Sequence, residues 1–285
     1  MVKKKLSMPK GMALTIGLNS VSPAHYGGWS GDLNACEADA LDIEEIGKSR
    51  KFTTKHLLTK AATRTNVMNE IVKASKSLKK GDILMLTYSG HGGQVPDLNN
   101  DENDFQDETW CLYDGELIDD ELYSLFGKFA EGVRILVLSD SCHSGSVIKA
   151  AYYHGTADAQ PLRVSTQEVR YKYMPPDVAL RTYRQNRDFY NKILKDPILK
   201  EAPGKVKASV LLISGCQDNQ YSSDGTFNGL FTGTLLRVWN DGNFDRDYKS
   251  FHKAIVKLMP PNQTPNYFKI GKNNPKFEEQ VPFTV

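Results

Sequence analysis

The sequence predicts an α/β fold in which a mostly parallel sheet of about six or more strands is covered by helices on both faces. Three apolar runs of strand length, Ile83 to Ser89, Arg134 to Ser139 and Ala208 to Gly215, are nearly continuous, as expected for strands buried on both faces. Stretches with helical periodicity separate these runs. Strands that alternate with helices form βαβ units, in which the carboxyl ends of the parallel strands meet at one edge of the sheet.

The other elements are predicted from periodicity and from turn residues. Helices are predicted where apolar residues recur three and four positions apart, and Gly81 is a stop signal for one of them. The dipeptide Asp114-Gly115 between two short apolar runs predicts a hairpin. In chain order these elements are a strand at Gly11 to Leu18, helices at Ala35 to Gly47 and Thr65 to Leu78, a hairpin at Trp110 to Ile118, and helices at Asp119 to Phe129, Leu230 to Trp239 and Tyr248 to Met259.

The composition argues against several classes of partner and location. The 285 residues carry a formal net charge of +2, from 36 basic and 34 acidic residues, which gives no field strong enough to indicate a nucleic-acid partner. No apolar run is long enough to span a membrane, and the basic start of the chain is not followed by the apolar segment of a secretion signal. The four cysteines form no CxxC pair, which fits a reducing compartment, so we expect a cytosolic protein.

Each of two central strands is followed by a small-residue turn that carries one reactive side chain. His91 lies in Tyr-Ser-Gly-His-Gly-Gly after the strand at Ile83 to Ser89, and Cys142 lies in Asp-Ser-Cys-His-Ser-Gly after the strand at Arg134 to Ser139. Taken alone, such a residue is more often structural than catalytic, because cysteine is among the most buried residue types. Their joint position at the ends of neighbouring parallel strands predicts that the thiol and the imidazole meet at one edge of the sheet.

A thiol beside an imidazole can attack a peptide bond. The thiolate is the nucleophile, and His91 can accept the thiol proton and later supply a proton to the leaving amine. Gly92 and Gly93 have no side chains, so a substrate backbone can approach closely, and a free N–H there can stabilise the oxyanion together with the N–H of Cys142. Each donor contributes about 3–4 kcal/mol of transition-state stabilisation. The sequence therefore predicts a cysteine peptidase with polypeptide substrates.

The sequence resembles metacaspases and their prokaryotic relatives in the caspase-like clan of cysteine peptidases. The spacing agrees with this resemblance, because His91 precedes Cys142 by 51 residues and caspases have an interval of about 50. The matching blocks are Ala13 to Asn19, Leu33 to Ala40, Tyr88 to Gly92, Asp107-Glu108, Ile118 to Leu122, Asp140 to Gly145, Ile213 to Gln220, Gly229 with Phe231-Thr232, and Gln263 to Pro265.

The resemblance implies a caspase-like three-layer sandwich and one peptidase domain over residues 1–285. This domain would consist of a large-subunit-like region at 1–148, a basic insertion at 149–205 and a small-subunit-like region at 206–285. No Pro-rich leader precedes the first predicted strand, so we expect a stand-alone catalytic domain. Caspases pair through a sheet edge, whereas metacaspases tend to be monomeric, so the resemblance also implies a monomer.

The resemblance also implies an acidic substrate pocket. The positions that match the metacaspase pocket for the residue before the scissile bond are Cys36, Asp39, Ser89 and Asp140. Two carboxylates there would favour Lys or Arg, since burying a cation without a carboxylate partner is strongly unfavourable. Taken alone, Asp39 is more simply interpreted as a solvated helix residue.

A calcium site is implied by the resemblance but is incomplete in this sequence. Metacaspases that need calcium bind it through aspartates that match Asp107, Asp119 and Asp120, and through a fourth that matches Lys149. An ammonium group there opposes a divalent ion, so one hypothesis is that Lys149 acts as a built-in surrogate cation and no cofactor is required. The competing hypothesis is that Lys149 turns into water and calcium binds through the three aspartates and solvent.

The segment at 149–205 interrupts the alternation of strands and helices. Part of it, Val178 to Leu199, has helical periodicity. Its basic residues are Lys149, Arg163, Arg170, Lys172, Arg181, Arg184, Arg187, Lys192, Lys195, Lys200 and Lys205. A connection this long is uncommon in a compact domain, so it is either a solvated insertion or a processing linker that the peptidase cuts itself.

Two alternative functions remain open from the sequence. A catalytically inactive caspase-like protein could serve as a binding or scaffold protein, although it would have no need for both His91 and Cys142. A legumain-like peptidase would cut after Asn, although Asp39 and Asp140 favour a basic side chain.

Overall fold

The computed structural model describes residues 8–96, 98, 106–141, 170–216 and 222–285. The described strands are β1 (Gly11–Gly17), β2 (Thr53–Leu58), β3 (Ile83–Ser89), β4 (Gly92–Pro96), β5 (Gln106–Leu112), β6 (Gly115–Ile118), β7 (Arg134–Asp140), β8 (Ser209–Ser214) and β9 (Asn266–Gly271). The described α-helices are α1 (Cys36–Ser49), α2 (Arg64–Ser77), α3 (Asp119–Phe126), α4 (Pro176–Gln185), α5 (Arg187–Leu194), α6 (Pro197–Lys200), α7 (Leu230–Trp239), α8 (Tyr248–Leu258) and α9 (Pro275–Glu278).

The central sheet has six strands in the order β2–β1–β3–β7–β8–β9. Neighbouring strands from β2 to β8 are parallel, and β9 pairs antiparallel with β8. Gly17 at the end of β1 is opposite Ser89 at the end of β3, and Ser89 is opposite Asp140 at the end of β7. The predicted mostly parallel sheet is therefore confirmed, and three strand ends meet at one edge.

The two faces of the sheet bury separate hydrophobic cores. Along β3, Leu84 and Leu86 belong to a core shared with α2 and α3, whereas Ile83 and Met85 belong to a core shared with α1, α7 and α8. Successive side chains of a strand point to opposite faces, so a strand covered on both faces must be apolar throughout. Burial of each aliphatic side chain stabilises the fold by about 1.5–3 kcal/mol. A strand buried on both faces therefore needs a continuous apolar run, and such runs predicted these strands.

Helix boundaries follow from capping residues. The side chain of Thr63 accepts a hydrogen bond from the backbone N–H of Asn66 at the start of α2, at 3.2 Å. Asp247 does the same for the N–H of Ser250 at the start of α8, at 2.6 Å. Such caps satisfy backbone donors that have no partner inside the helix and contribute about 1 kcal/mol each.

Three described strands have no counterpart among the strands predicted from the sequence. Strands β2 and β9 form the two edges of the central sheet, and most of their side chains are exposed or half-buried. An edge strand that buries little has a weak apolar pattern. Strand β4 begins with two glycines, which are depleted in strands, and it forms a three-stranded antiparallel sheet with the predicted β5–β6 hairpin.

From Pro176 onwards, the described part of the basic insertion is mainly helical and packs against the domain. Helices α4, α5 and α6 confirm the periodicity predicted between Val178 and Leu199. Tyr190 and Leu194 form a small core with Val95 and Ile118, which lie on the three-stranded sheet. Among the described residues, no helix combines the length and the apolar character needed to cross a bilayer.

A buried carboxyl group lies beneath this second sheet. Glu116 of β6 is fully buried. Its Oε2 accepts a hydrogen bond of 2.6 Å from the hydroxyl of Thr109, and its backbone N–H donates to the hydroxyl of Tyr190 at 3.2 Å. Burial raises the pKa of Glu116 to about 7, although the hydrogen bonds from Thr109 and Tyr190 and the positive charge of Arg64 oppose the shift.

We expect this buried carboxyl to make the free energy of unfolding depend on pH. At a pH below its ordinary pKa of 4.5, Glu116 is protonated in the folded and unfolded states and has no effect. Above about pH 7 the group is ionised in both states, and its burial destabilises the folded state by about 3 kcal/mol. Glu116→Gln should therefore be more stable than the unaltered chain at about pH 8 but not at about pH 4, as measured by denaturant midpoints. An equal shift for the exposed Glu131→Gln would contradict this assignment.

Candidate active site

The carboxyl ends of β3 and β7 lie side by side at the edge where the sequence predicts the site. In the parallel register, Ser89 of β3 is opposite Asp140 of β7. His91 follows Ser89 by two positions in the sequence, and Cys142 follows Asp140 by the same interval. The described chain reaches Ser141, which is fully buried, and Cys142 lies outside the described residues. The structure thus describes the histidine and the strand that leads to the cysteine.

The imidazole of His91 is held by a backbone carbonyl and an aromatic ring. Its Nε2 lies 2.8 Å from the carbonyl oxygen of Gly31, and its ring centroid lies 4.7 Å from that of Trp29. Because a carbonyl oxygen only accepts hydrogen bonds, Nε2 carries the proton of the neutral ring and Nδ1 carries the lone pair. His91 therefore offers Nδ1 as its basic nitrogen.

The ring is uncharged at neutral pH. Burial lowers the pKa of His91 to about 4, and the hydrogen bond to the Gly31 carbonyl opposes this shift only in part. The positive charge of Lys172 lowers the pKa of the ring as well. An uncharged imidazole can accept a proton, as the predicted general base must.

Only glycine fits at position 31, beside the imidazole of His91. Its φ is +55°, and a β-carbon there would lie 2.9 Å from Nε2 of His91 and within 2.8 Å of the Trp29 ring. A left-handed backbone favours glycine, and the short contacts leave no space for a side chain. No local pattern in the chain indicates this contact, because Gly31 and His91 are 60 positions apart.

We expect Gly31→Ala to lower kcat by displacing His91. The change adds about 1–2 kcal/mol of backbone strain and pushes a methyl group against the imidazole. Gly28→Ala is a matched control, because Gly28 also has a left-handed φ, of +90°, but a β-carbon there meets nothing within 4 Å. Peptidase kinetics should separate the two variants, and similar kcat values would show that the contact with His91 has no catalytic consequence.

The glycines after His91 contact the insertion. The N–H of Gly92 donates to the carbonyl of Lys172 at 3.0 Å, and the carbonyl of Gly92 accepts from the N–H of Met174 at 2.7 Å. A β-carbon on Gly93 would lie 2.7 Å from the side chain of Met174. The segment from Lys172 to Met174 therefore lies close against both glycines.

The four predicted pocket residues lie together beneath this edge. Cys36, Asp39, Ser89 and Asp140 are all buried. The hydroxyl of Ser89 donates to Oδ2 of Asp39 at 2.7 Å. Burial raises the pKa of the Cys36 thiol to about 12, so Cys36 is a neutral wall of the pocket. Asp39 is not a solvated helix residue, because its side chain points into the protein from α1.

Lys172 fills this acidic pocket. Its side chain is fully buried, and its Nζ lies 2.8 Å from Asp39 Oδ2, 3.0 Å from Asp140 Oδ2 and 3.0 Å from Ser89 Oγ. Burial by itself lowers the pKa of Lys172, but the carboxylates of Asp140 and Asp39 outweigh burial and raise it well above its usual value. The pocket thus binds an ammonium group through two carboxylates and a hydroxyl.

Residues from the C-terminal third complete the pocket. The hydroxyl of Ser222 donates to Oδ1 of Asp140 at 2.5 Å, and the hydroxyl of Thr232 donates to Oδ2 of Asp140 at 2.8 Å. The N–H of Gly229 donates to Oδ1 of Asp39 at 2.9 Å, and a β-carbon on Gly229 would overlap Nζ of Lys172. Burial raises the pKa of Asp39, and the positive charge of Lys172 and the hydrogen bonds from Lys172 and Ser89 oppose that rise.

The predicted metal ligands form a crowded acidic group. Burial raises the pKa of Asp119 well above its usual value, and the charges of Glu108, Asp120 and Asp107 raise it further. The N–H of Asp120 donates to Oδ1 of Asp119 at 2.9 Å. Within the described ranges, no three His, Cys, Asp or Glu side chains are arranged to hold a metal ion, and Lys149 lies outside those ranges. The negative charge of these carboxylates would favour a nearby cation, but the described carboxylates are not arranged to coordinate a metal ion.

The chain is similar to known proteins over most of its length. The family model described as the caspase domain matches residues 10–283. The chain is 30% identical over 262 residues to Metacaspase-1 of Schizosaccharomyces pombe, covering 81% of this chain and 59% of that protein. It is 29% identical over 252 residues to Metacaspase-1 of Eremothecium gossypii, covering 78% of this chain and 54% of that protein. The chain thus spans between half and three fifths of these relatives.

A solved structure is similar over nearly the whole chain. The crystal structure of protein GSU0716 from Geobacter sulfurreducens has a TM-score of 0.86 and 60% sequence identity, covering 97% of this chain and 99% of that one. The fold defines a caspase-like domain. The chain belongs to the caspase-domain family, and its curated relatives are metacaspases.

Proposed function

We propose that this protein is a cysteine endopeptidase that cleaves polypeptides after Lys or Arg with His91 and Cys142. The observation that carries the proposal is the burial of Lys172 against Asp39 and Asp140. A pocket that surrounds an ammonium group with two carboxylates selects a basic side chain, because a neutral or acidic one would leave the carboxylates without a cation.

The proposed reaction uses two steps. Nδ1 of His91 takes the proton of the Cys142 thiol, and the thiolate attacks the carbonyl carbon of the scissile bond. The N–H groups of Gly92 and Cys142 stabilise the oxyanion, and His91 returns the proton to the leaving amine as the C–N bond breaks. Water then hydrolyses the thioester, so that its oxygen enters the new carboxylate and Cys142 is regenerated.

A panel of fluorogenic peptides tests this proposal. We expect rapid hydrolysis after Lys and Arg and little after Asn or Asp, because only a basic side chain pairs with Asp39 and Asp140. Fast labelling of Cys142 by an arginyl chloromethyl ketone should accompany this activity. A preference for Asn would instead indicate a legumain-like peptidase, and neither hydrolysis nor labelling would indicate an inactive binding protein.

Cut sites in the basic insertion form part of the same proposal. Its lysines and arginines match the proposed pocket, and the chain would therefore process itself between the region at 1–148 and the region at 206–285. We propose that these regions remain one domain, that the peptidase acts as a monomer in the cytosol, and that neither nucleic acid nor a membrane is a partner.

We further propose that activity does not require calcium. The acidic groups around Asp119 repel one another and help to raise its pKa. A nearby positive charge would offset this repulsion, and Lys149 would supply it in place of a metal. Peptidase activity should therefore survive a chelator, and calorimetric titration should detect no tight calcium binding. Lys149→Asp, which restores a fourth carboxylate, should bind calcium and become sensitive to the chelator. Loss of activity of the unaltered protein in chelator would overturn this assignment.

A further inference from the structure

Residues 170–174 lie in an extended conformation across the active-site edge. On one side of Lys172, Tyr171 forms an antiparallel bridge with Ser223, and on the other side Tyr173 forms a parallel bridge with Gly92. The N–H of Lys172 donates to the carbonyl of Ser222 at 2.9 Å. The segment therefore adds a short strand between two parts of the site, and strand addition is a common way for a protein to bind an extended peptide.

The position of the Lys172 carbonyl identifies one peptide bond. It accepts a hydrogen bond from the N–H of Gly92, the residue after His91, at 3.0 Å. The proposed function assigns this same N–H to the oxyanion, and it assigns the pocket that holds the Lys172 side chain to the residue before the cut. A lysine that only stabilised the fold would need the ion pairs with Asp39 and Asp140, but it would not need the hydrogen bond from Gly92 to its carbonyl.

The geometry points to residues 170–174 being an internal substrate that is bound before cleavage, with Lys172–Tyr173 as the bond that is cut. This inference rests on the proposed function and goes beyond it by naming the bond and the neighbouring subsites. Cleavage breaks the C–N bond between Lys172 and Tyr173; water supplies the oxygen of the new Lys172 carboxylate, and its hydrogen leaves with the Tyr173 amine.

The segment also defines a subsite beyond the cut. Met174, two residues after Lys172, is fully buried, and its side chain packs over Gly93. It belongs to the large hydrophobic core on the α2 and α3 face of the sheet. An apolar side chain fits there, whereas a charged one would be buried without a partner. Substrates should therefore combine Lys or Arg before the cut with an apolar residue at the second position after it.

The third position before the cut is more permissive. Arg170 is exposed, and its guanidinium donates to the carbonyl oxygen of Asp32 at 3.1 Å. Its carbonyl accepts from the N–H of Asp224 at 2.8 Å. Backbone pairing holds this residue without enclosing its side chain, so selectivity should be concentrated at Lys172 and Met174.

An internal substrate must compete with added peptides. A tethered segment has an effective concentration of about millimolar or higher, so the uncut protein should hydrolyse external peptides slowly. After cleavage, Lys172 remains attached to the chain on one side only, so that it can leave the pocket. We therefore expect a lag before full activity on a fluorogenic lysyl peptide, and the lag should coincide with the appearance of fragments.

The first test identifies the bond in the full chain. Purified protein is incubated, and the fragments are identified by intact mass and by N-terminal sequencing. We expect a new N-terminus that reads Tyr-Met-Pro-Pro, from Tyr173, in the unaltered chain and in Lys172→Arg, but not in Lys172→Gln or Cys142→Ala. Lys192→Gln is the matched control, because Lys192 is an exposed lysine of the same insertion, and it should be cut like the unaltered chain.

The same samples distinguish the two proposals. Hydrolysis of lysyl peptides without any cleavage at Tyr173 would overturn this inference and leave the proposed function intact, whereas absence of both activities would overturn the proposed function. Lys172→Gln should hydrolyse the added peptide without a lag. A Lys172→Gln protein that retains the lag would show that Lys172 only stabilises the fold.

A second test does not depend on the folding of any variant. Self-cut enzyme is given a quenched peptide with the sequence Arg-Tyr-Lys-Tyr-Met-Pro and a second peptide with Asp in place of Met. We expect kcat/KM to be at least about tenfold lower for the second peptide, because the buried subsite excludes a charge. Equal values would overturn the assignment of the Met174 subsite.

Discussion

His91→Ala should reduce kcat for lysyl and arginyl peptides by about 10²–10⁴-fold. Among the described side chains at the end of β3, only that of His91 has a basic nitrogen. This nitrogen is Nδ1, because Nε2 is bonded to the Gly31 carbonyl. In the proposed mechanism, loss of the ring leaves the thiol of Cys142 without a base and the leaving amine without an acid. Steady-state kinetics, with the alkylation rate of Cys142, should show the loss.

His252→Ala is the matched control for this prediction. The ring of His252 also bonds a backbone carbonyl through Nε2, at 2.9 Å from Pro265, and burial lowers its pKa too. It contacts the ring of Tyr267 on β9, at the far edge of the sheet. Unequal effects of the two variants are expected, and a His91→Ala protein with unchanged kcat would refute the proposed mechanism.

The pH profile gives an independent measurement for His91. The proposed mechanism requires the uncharged ring, so kcat/KM should fall as the pH drops through the pKa of His91, which is about 4 in the structure with Lys172 in the pocket. The positive charge of Lys172 lowers that pKa, and therefore self-cutting and release of Lys172 should move the acid limb to higher pH.

Asp39→Asn and Asp140→Asn should each lower kcat/KM for lysyl and arginyl peptides by about 10²-fold or more. Each change removes one of the two carboxylates that lie within 3.0 Å of Nζ of Lys172. Removing one partner of a buried ion pair costs about 3–5 kcal/mol, and about 1.4 kcal/mol corresponds to a tenfold change. The measurement is kcat/KM for lysyl peptides after self-cutting.

Asp42→Asn provides the control on the same helix. Its carboxylate accepts a hydrogen bond from Asn228 at 2.8 Å, and the same amide group also donates to Asp39 at 3.1 Å. Asp42 is not among the groups that contact Lys172. A loss for Asp42→Asn as large as that for Asp39→Asn would show that the pocket acts through its shape rather than its charge.

The sequence predicted the buried strands and the capped helices because their patterns are local. The β3 and β7 runs are apolar throughout because both faces are covered, and hairpin β5–β6 has its Asp-Gly turn. Strands β2 and β9 lie at sheet edges and bury little, so their patterns gave no comparable signal. The acidic pocket was predicted only through the resemblance, because Asp39 alone is indistinguishable from a surface residue of α1.

The sequence by itself determined which reactive groups the protein has and that a parallel sheet would bring the end of β3, before His91, and the end of β7 to one edge. Tertiary structure decided how those groups are used. The carbonyl of Gly31 selects the basic nitrogen of His91, and Lys172 pairs with Asp39 and Asp140 although it is 133 positions away from Asp39 in the sequence. Such contacts depend on the packing of distant segments, which leaves no periodic or local pattern in the chain.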